Sequence, residues 1–341
     1  MGLQKLIVRT LMKLPESWIL KLAGGEPVVI DGRTMDPRVQ LLAAQGAKAP
    51  SMTTLPIEEA RKNADDGLAM LDGKPRRTVA VLNRTIPGPG GDLHVRVYTP
   101  AGATGPLPGI VYYHMGGCVI GGLQTCDTFC SILADDCRAI VVSVDYRLAP
   151  ENKFPAPMED AISSYQWVAD NAEALGIDNT RLGIGGDSAG GWLSAVVCQH
   201  RKKEGLPQPK AQLLIYPATD VTAEGGSRES CKDVYPLTVE IMDWFMDQVM
   251  NSPEEKNDVR ASPAKSDDVS GLAPAIITTA GFDVLRDQGE AYANQLRAAG
   301  VPVTYRCYDS LCHAYTAFSG TVPAAKAACE EIARDMARAL G

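Results

Sequence analysis

The chain has 341 residues, 45% of them hydrophobic and 22% charged, and a formal net charge of -8. That length holds one large core with a smaller part attached, since single cores stop growing near about 250 to 300 residues. The scattered basic residues exclude the positive footprint of a nucleic-acid binder, and no stretch approaches the roughly 20 apolar residues of a membrane span.

The N-terminal run MGLQKLIVRTLMKLPESWILKL interrupts its apolar positions with Lys and Arg, which predicts an amphipathic helix rather than a secretory signal. From about residue 77, short β-branched runs alternate with helical patterns. Strands are predicted over 78–82, 93–98, 109–113, 139–144, 182–185, 211–215, 275–279 and 303–308. Helices are predicted over 128–136, 157–172, 189–203, 286–299 and 324–340. The Gly- and Pro-rich stretch 87–92 makes the first two strands a hairpin. Later strands are separated by helix-sized segments, so an α/β fold with a mostly parallel sheet follows.

Two stretches break the alternation, 1–52 and 221–260, the latter containing PLTVEIMDWFMDQVM with apolar residues at helical spacing. They are read as two parts of a helical cap, leaving 53–220 and 261–341 as the two parts of the core.

Nine cysteines, an odd number without a C-x-x-C pair, predict reduced thiols and a cytoplasmic protein. The four histidines, at 94, 114, 200 and 313, have no second histidine or cysteine at zinc-motif spacing. No metal site is expected.

The strongest chemical signal is Gly186-Asp187-Ser188-Ala189-Gly190, a G-x-S-x-G directly after an apolar strand and before a helix. This is the context of a nucleophile elbow, in which a tight turn between near side-chain-free glycines projects the serine hydroxyl above the sheet. The Ala189 amide then faces a developing oxyanion at the helix start. His114-Met115-Gly116-Gly117 follows another strand, and there the amides of Gly116 and Gly117 are candidates to complete an oxyanion hole, with His114 read as a structural loop residue.

A base must lie further along the chain. His200 is twelve residues beyond Ser188 on the same helix, about 18 Å away, and cannot reach it. His313 follows the strand over 303–308 at the edge where active-site loops gather, and is the only satisfactory base. Asp283, just past the strand over 275–279, is the preferred orienting acid over Asp287, one turn into the next helix. Asp309, four residues before His313, stays open as a second carboxylate.

Together with VDYRLAPENKFPAPMEDA over 144–161 and Asp283-Val284-Leu285-Arg286-Asp287, these motifs resemble the bacterial hormone-sensitive-lipase-like esterases, family IV of the bacterial lipolytic enzymes. The resemblance runs from about residue 35 to the C-terminus. It implies the α/β-hydrolase fold, an eight-stranded sheet flanked by helices under a helical cap. It also implies cofactor-free hydrolysis of short- to medium-chain acyl esters, with Gly116, Gly117 and Ala189 as the oxyanion hole. Asp145, Tyr146 and Arg147 are read as supports of the active-site loops, a buried arginine normally being held by a carboxylate.

The chain departs from the family pattern in three places. Met115 stands for the first of three glycines and Cys118 for an aromatic, Ala314 replaces the glycine after the catalytic histidine, and about 33 residues precede the usual start. Met115 and Cys118 are therefore expected to reshape the substrate pocket. The expected partner is a small-molecule ester, and a second copy of the chain is left open. Two rival readings are an amidase or lactonase using the same triad, and a non-catalytic ligand-binding protein on the same fold.

Overall fold

The computed structural model describes residues 2–102 and 104–341. Its N-terminal part is helical, but the single helix expected over the first 22 residues is two, α1 (Gly2–Leu11) and α2 (Glu16–Leu22). Pro15 is the reason: it cannot continue a helix from its N-terminal side, and instead occupies the N-cap of α2. Two short strands, β1 (Val29–Ile30) and β2 (Arg33–Thr34), pair antiparallel. Helix α3 (Pro37–Gly46) then starts on Asp36, whose carboxylate accepts the Arg38 amide at 2.7 Å, with Pro37 at the first helical position. Helix α4 (Ile57–Leu71) follows.

The eight predicted strands are all present, several of them longer than their apolar runs. They are β3 (Val79–Gly88), β4 (Gly91–Pro100), β5 (Leu107–Tyr113), β6 (Ile140–Asp145), β7 (Ile177–Asp187), β8 (Gln212–Ile215), β9 (Ala275–Phe282) and β10 (Val303–Cys312). They form one sheet in the order β10-β9-β8-β7-β5-β6-β4-β3. The expected hairpin is β3 and β4, closed between Gly88 and Gly91. Strand β4 is antiparallel to both its neighbours, and every other pairing is parallel.

Both faces of the central strands are covered, which is why they read as continuous apolar runs. Val111 and Tyr113 of β5 join one core and Ile110 and Tyr112 the other, as the two-residue period of a strand requires. The first core takes α6 (Ala156–Asp170), α8 (Ala189–Lys203) and α11 (Arg286–Ala298) through Met158, Trp192 and Tyr292. The second takes α5 (Asp127–Asp136) and α12 (Pro323–Leu340) through Phe129, Leu133 and Ile332. Edge strand β3 exposes residues 80–85 to solvent, the apolar Val81 and Leu82 among them. A one-turn helix, α7 (Ala172–Leu175), precedes β7; another, α9 (Ser227–Ser230), and α10 (Val239–Val249) lie between β8 and β9. Among the described residues no helix is long and apolar enough to cross a membrane.

Candidate active site

Strand β7 ends at Asp187 and α8 begins at Ala189, so Ser188 alone makes the turn, with φ 56° and ψ -115°. A non-glycine residue in this region is strained, and such strain concentrates at functional sites. The flanking glycines follow from sterics. A Cβ on Gly190 would sit 1.8 Å from the Tyr113 carbonyl oxygen, and one on Gly186 would sit 2.4 Å from the Gly190 carbonyl. The turn thus closes against the end of β5, beside the loop that leaves it.

Strand β10 brings His313 to this point by running past its predicted end. Its pairing with β9 shifts register between Tyr308 and Cys312, and the chain there crosses Gly281 so closely that a Cβ on Gly281 would lie 2.1 Å from the Asp309 carbonyl oxygen. His313 Nε2 lies 2.9 Å from Ser188 Oγ, and His313 Nδ1 lies 2.7 Å from Asp283 Oδ2. Asp283 directly follows β9, and its other oxygen accepts the Leu285 amide at 2.9 Å. All three side chains are buried. Ala314, where the family has glycine, takes the left-handed conformation with φ 62°.

Asp309 and Asp287, the other carboxylates considered as the orienting acid, are engaged elsewhere. Asp309 is exposed and accepts Arg33 Nε at 2.8 Å. Asp287 receives Arg286 Nε at 2.8 Å and the Ser227 amide at 2.7 Å, tying α11 to α9. His200 lies in the last turn of α8 and lines a separate surface groove with Trp167 and Pro89.

The loop after β5 needs its glycines. Gly116 has φ 124° and a Cβ there would meet the Ile120 carbonyl at 2.0 Å; Gly117 has φ 61° and its Cβ would strike the Phe245 ring at 2.4 Å. The Gly116 carbonyl accepts the amides of Val119 and Ile120, both at 2.9 Å. Ala189 opens α8, so its amide is among the helix-start donors that have no intrahelical partner. His114 is fully buried, its Nδ1 2.7 Å from the Met115 carbonyl oxygen and its ring stacked on Tyr146 at 4.3 Å. Tyr146 in turn donates its hydroxyl to the His114 carbonyl at 2.7 Å. Burial pushes the His114 imidazole down to about 4, so the ring is neutral at ordinary pH. Arg147 is clamped by buried Asp160, which takes both its amide at 2.8 Å and its Nε at 2.9 Å.

A cavity of about 1270 Å³ opens over Ser188 and His313. Met115, Gly116 and Gly117 line it; Cys118 does not. Cys118 points instead into the core on the α8 side of the sheet, fully buried and with φ 59°, so the expectation that it shapes the pocket is not met. The loop reverses direction at Gly117, which carries the next side chain beneath the loop instead of into the cavity.

Three residues to which the sequence assigned no role of their own gather around His313. Fully buried Asp187 accepts the Tyr216 hydroxyl at 3.0 Å and the Thr316 hydroxyl at 2.9 Å on one oxygen. The Tyr216 ring packs on the His313 imidazole at 4.7 Å between centroids. Burial raises the Asp187 carboxyl above its usual range, with Thr316 and Tyr216 holding it back. Only the position of Asp187 inside the elbow motif could have drawn attention to this cluster.

A serine, a histidine and an aspartate stand in hydrogen-bond sequence at the C-terminal edge of an eight-stranded, mostly parallel sheet, the architecture of an α/β hydrolase. A family model described as the alpha/beta hydrolase fold matches residues 110–317. The chain belongs to that family, within its hormone-sensitive-lipase-like branch, family IV.

It is 40% identical over 304 residues to the carboxylic ester hydrolase LipN of Mycobacterium tuberculosis, covering 86% of this chain and 80% of the relative. It is 35% identical over 281 residues to the ethyl acetate hydrolase of Pseudomonas putida, covering 81% and 88%. Among solved structures, the ester hydrolase EH1AB1 from the Lake Arreo metagenome, complexed with a derivative of bipyridine phosphonate, has a TM-score of 0.85 at 38% identity, over 95% of this chain and 98% of that one. A Pyrobaculum calidifontis esterase has a TM-score of 0.81 at 37% identity, over 86% and 96%.

Proposed function

We propose that Ser188 is the nucleophile of this ester hydrolase, His313 its general base and Asp283 the acid that orients the base. The observation that carries the reading is the unbroken chain from Ser188 Oγ to His313 Nε2 at 2.9 Å and from His313 Nδ1 to Asp283 Oδ2 at 2.7 Å. Ser188 Oγ attacks the ester carbonyl carbon while its proton passes to His313 Nε2. Asp283 holds the Nδ1–H tautomer that leaves Nε2 free, and stabilises the imidazolium once formed. The imidazolium gives its proton to the departing alcohol, leaving an acyl group on Ser188. Water then attacks the acyl carbon while His313 again takes its proton; the bond from that carbon to Ser188 Oγ breaks as the proton returns to Oγ, and free acid leaves.

The amides of Gly116, Gly117 and Ala189 are the donors to the tetrahedral oxyanion, each worth about 2.7 to 4 kcal/mol. Ester rather than amide cleavage is supported by the relatives' names, ethyl acetate hydrolase among them. Helices α1 to α4 with residues 221–260 act as the cap. This extends the N-terminal part beyond residue 52, because Ala60, Asn63 and Leu68 of α4 line the same cavity as Leu237 and Ile241. Nine cysteines without a disulfide among the described residues support a reducing, cytoplasmic setting.

Hydrolysis of p-nitrophenyl acetate and butyrate compared with the matching anilides tests the reading. Turnover of the esters alone is expected; comparable rates on the anilides would make the protein an amidase.

A further inference from the structure

Ser188 lines the cavity, whereas Asp187 beside it is fully buried among side chains of the second core, Tyr112, Tyr216 and Tyr315. An aspartate this deep is normally paired with a cation. Asp187 is held by hydroxyls instead. Its Oδ2 accepts Tyr216 at 3.0 Å and Thr316 at 2.9 Å, and those two hydroxyls also bond to each other. Its Oδ1 has no formed hydrogen bond, and neither has the buried Tyr112 hydroxyl beside it, so that phenol is placed to satisfy the second oxygen.

Both donors to Oδ2 also brace His313. The Tyr216 ring packs on the imidazole at 4.7 Å between centroids, and Thr316 lies three residues beyond His313 in the 3-10 turn Tyr315–Phe318. The other titratable groups that face the carboxylate are Tyr112 of β5, Cys130 of α5, Tyr146 after β6, Tyr216 after β8, Tyr315 and Cys329 of α12. Burial drives each of these phenols and thiols well above its usual range, so all six are neutral. His313, held on its other side by Asp283, is the neighbour that can become a cation.

We infer that Asp187 is a second charged carboxylate behind the triad, a positioning residue that braces His313 through Tyr216 and Thr316 and stabilises its imidazolium when the Ser188 proton arrives. The inference rests on the proposed roles of Ser188 and His313. A buried carboxylate without a cation is poorly compensated in the resting enzyme. It gains a counter-charge only as the proton reaches His313, so the interaction strengthens toward the transition state, which is the condition for it to accelerate the reaction.

The test is the pH dependence of kcat and KM for p-nitrophenyl acetate between pH 5 and 9, in the full-length wild type, Asp187→Asn and Tyr216→Phe. Asparagine keeps the shape of the aspartate: its carbonyl can accept Tyr216 and Thr316, and its amide can donate to the Tyr112 oxygen. Only the charge is lost. In Asp187→Asn the acid limb of kcat/KM is expected to move to lower pH by about half a unit to one unit, with kcat at the plateau falling about three- to tenfold and KM unchanged. Tyr216→Phe keeps the ring against His313 but removes one donor to the carboxylate. Its limb is expected to move in the same direction, by no more than that of Asp187→Asn.

An acid limb that stays in place in folded Asp187→Asn, whatever happens to the rate, would overturn the inference and leave Asp187 a structural residue. A limb that moves to higher pH would overturn it as well. Should Asp187→Asn fail to fold, Tyr216→Phe decides, and an unmoved limb there is the contradicting result. Failure of the catalytic reading looks different, because hydrolysis would then persist in Ser188→Ala.

Discussion

Gly190 and Tyr113 approach so closely that a single added methyl on the glycine would overlap the tyrosine carbonyl oxygen, at 1.8 Å. The contact joins the start of α8 to the end of β5, so the serine turn and the neighbouring glycine loop are set by one steric fit. Gly190→Ala is expected to abolish activity and sharply lower soluble yield. Gly67→Ala in α4, where a Cβ meets nothing within 4 Å, should instead stabilise the protein by about 0.5 to 1 kcal/mol. Thermal melts of the two variants check both; an active, soluble Gly190→Ala would show that the turn can relax.

The choice between the two carboxylates is sharp. Asp283→Asn should lower kcat by about 10⁴-fold, because an amide leaves the imidazole in the wrong tautomer. Asp309→Asn breaks only an exposed pair with Arg33, worth less than about 1 kcal/mol, and should leave kcat near wild type. Steady-state kinetics of both variants decide it, and the reverse ranking would reassign the acid.

Cys118 and Met115 should part company. Cys118→Phe inserts a ring into a filled core at a residue with φ 59°, which should cost about 1 to 3 kcal/mol of stability without reordering ester preference. Met115→Gly changes the cavity wall and should reorder it. Denaturant midpoints and kcat/KM for acetate, butyrate, hexanoate and octanoate separate the two effects. A changed ester ranking in Cys118→Phe at unaltered stability would return that residue to the pocket.

Acid should weaken the fold partly through His114. Unfolding exposes its ring to water, where it takes a proton below about pH 6.5, whereas the folded ring refuses one until about pH 4. This contribution is full above pH 6.5 and falls as pH drops toward 4, by about 3 kcal/mol in all. His114→Gln, less stable at neutral pH, should therefore lose less on acidification than wild type. Urea midpoints between pH 7 and 4 read the difference, and parallel curves would contradict it.

Local pattern reveals whatever is repeated or punctuated along the chain. The eight strands, the hairpin at Gly88 and Gly91, and the helices after β7 and β9 carry their own period or their own turn residues. The proposed triad was legible for another reason: few histidines exist, and chain order with strand ends leaves His313 and Asp283. What stayed hidden depends on contacts between distant residues. Tyr216 and Thr316 are a hundred positions apart, and nothing near either announces that both hydroxyls converge on Asp187. Asp309 looked available until Arg33, far upstream, was found holding it. Cys118 was misplaced because the direction of a side chain after Gly117 depends on a backbone reversal that composition does not record.

The central claim is that Ser188 is the nucleophile, and the hydrolysis of p-nitrophenyl acetate by purified Ser188→Ala tests it most directly. With wild-type circular dichroism confirming an intact fold, kcat/KM is predicted to fall by at least about 1000-fold. Retention of more than about a tenth of wild-type activity by that folded variant would contradict the claim.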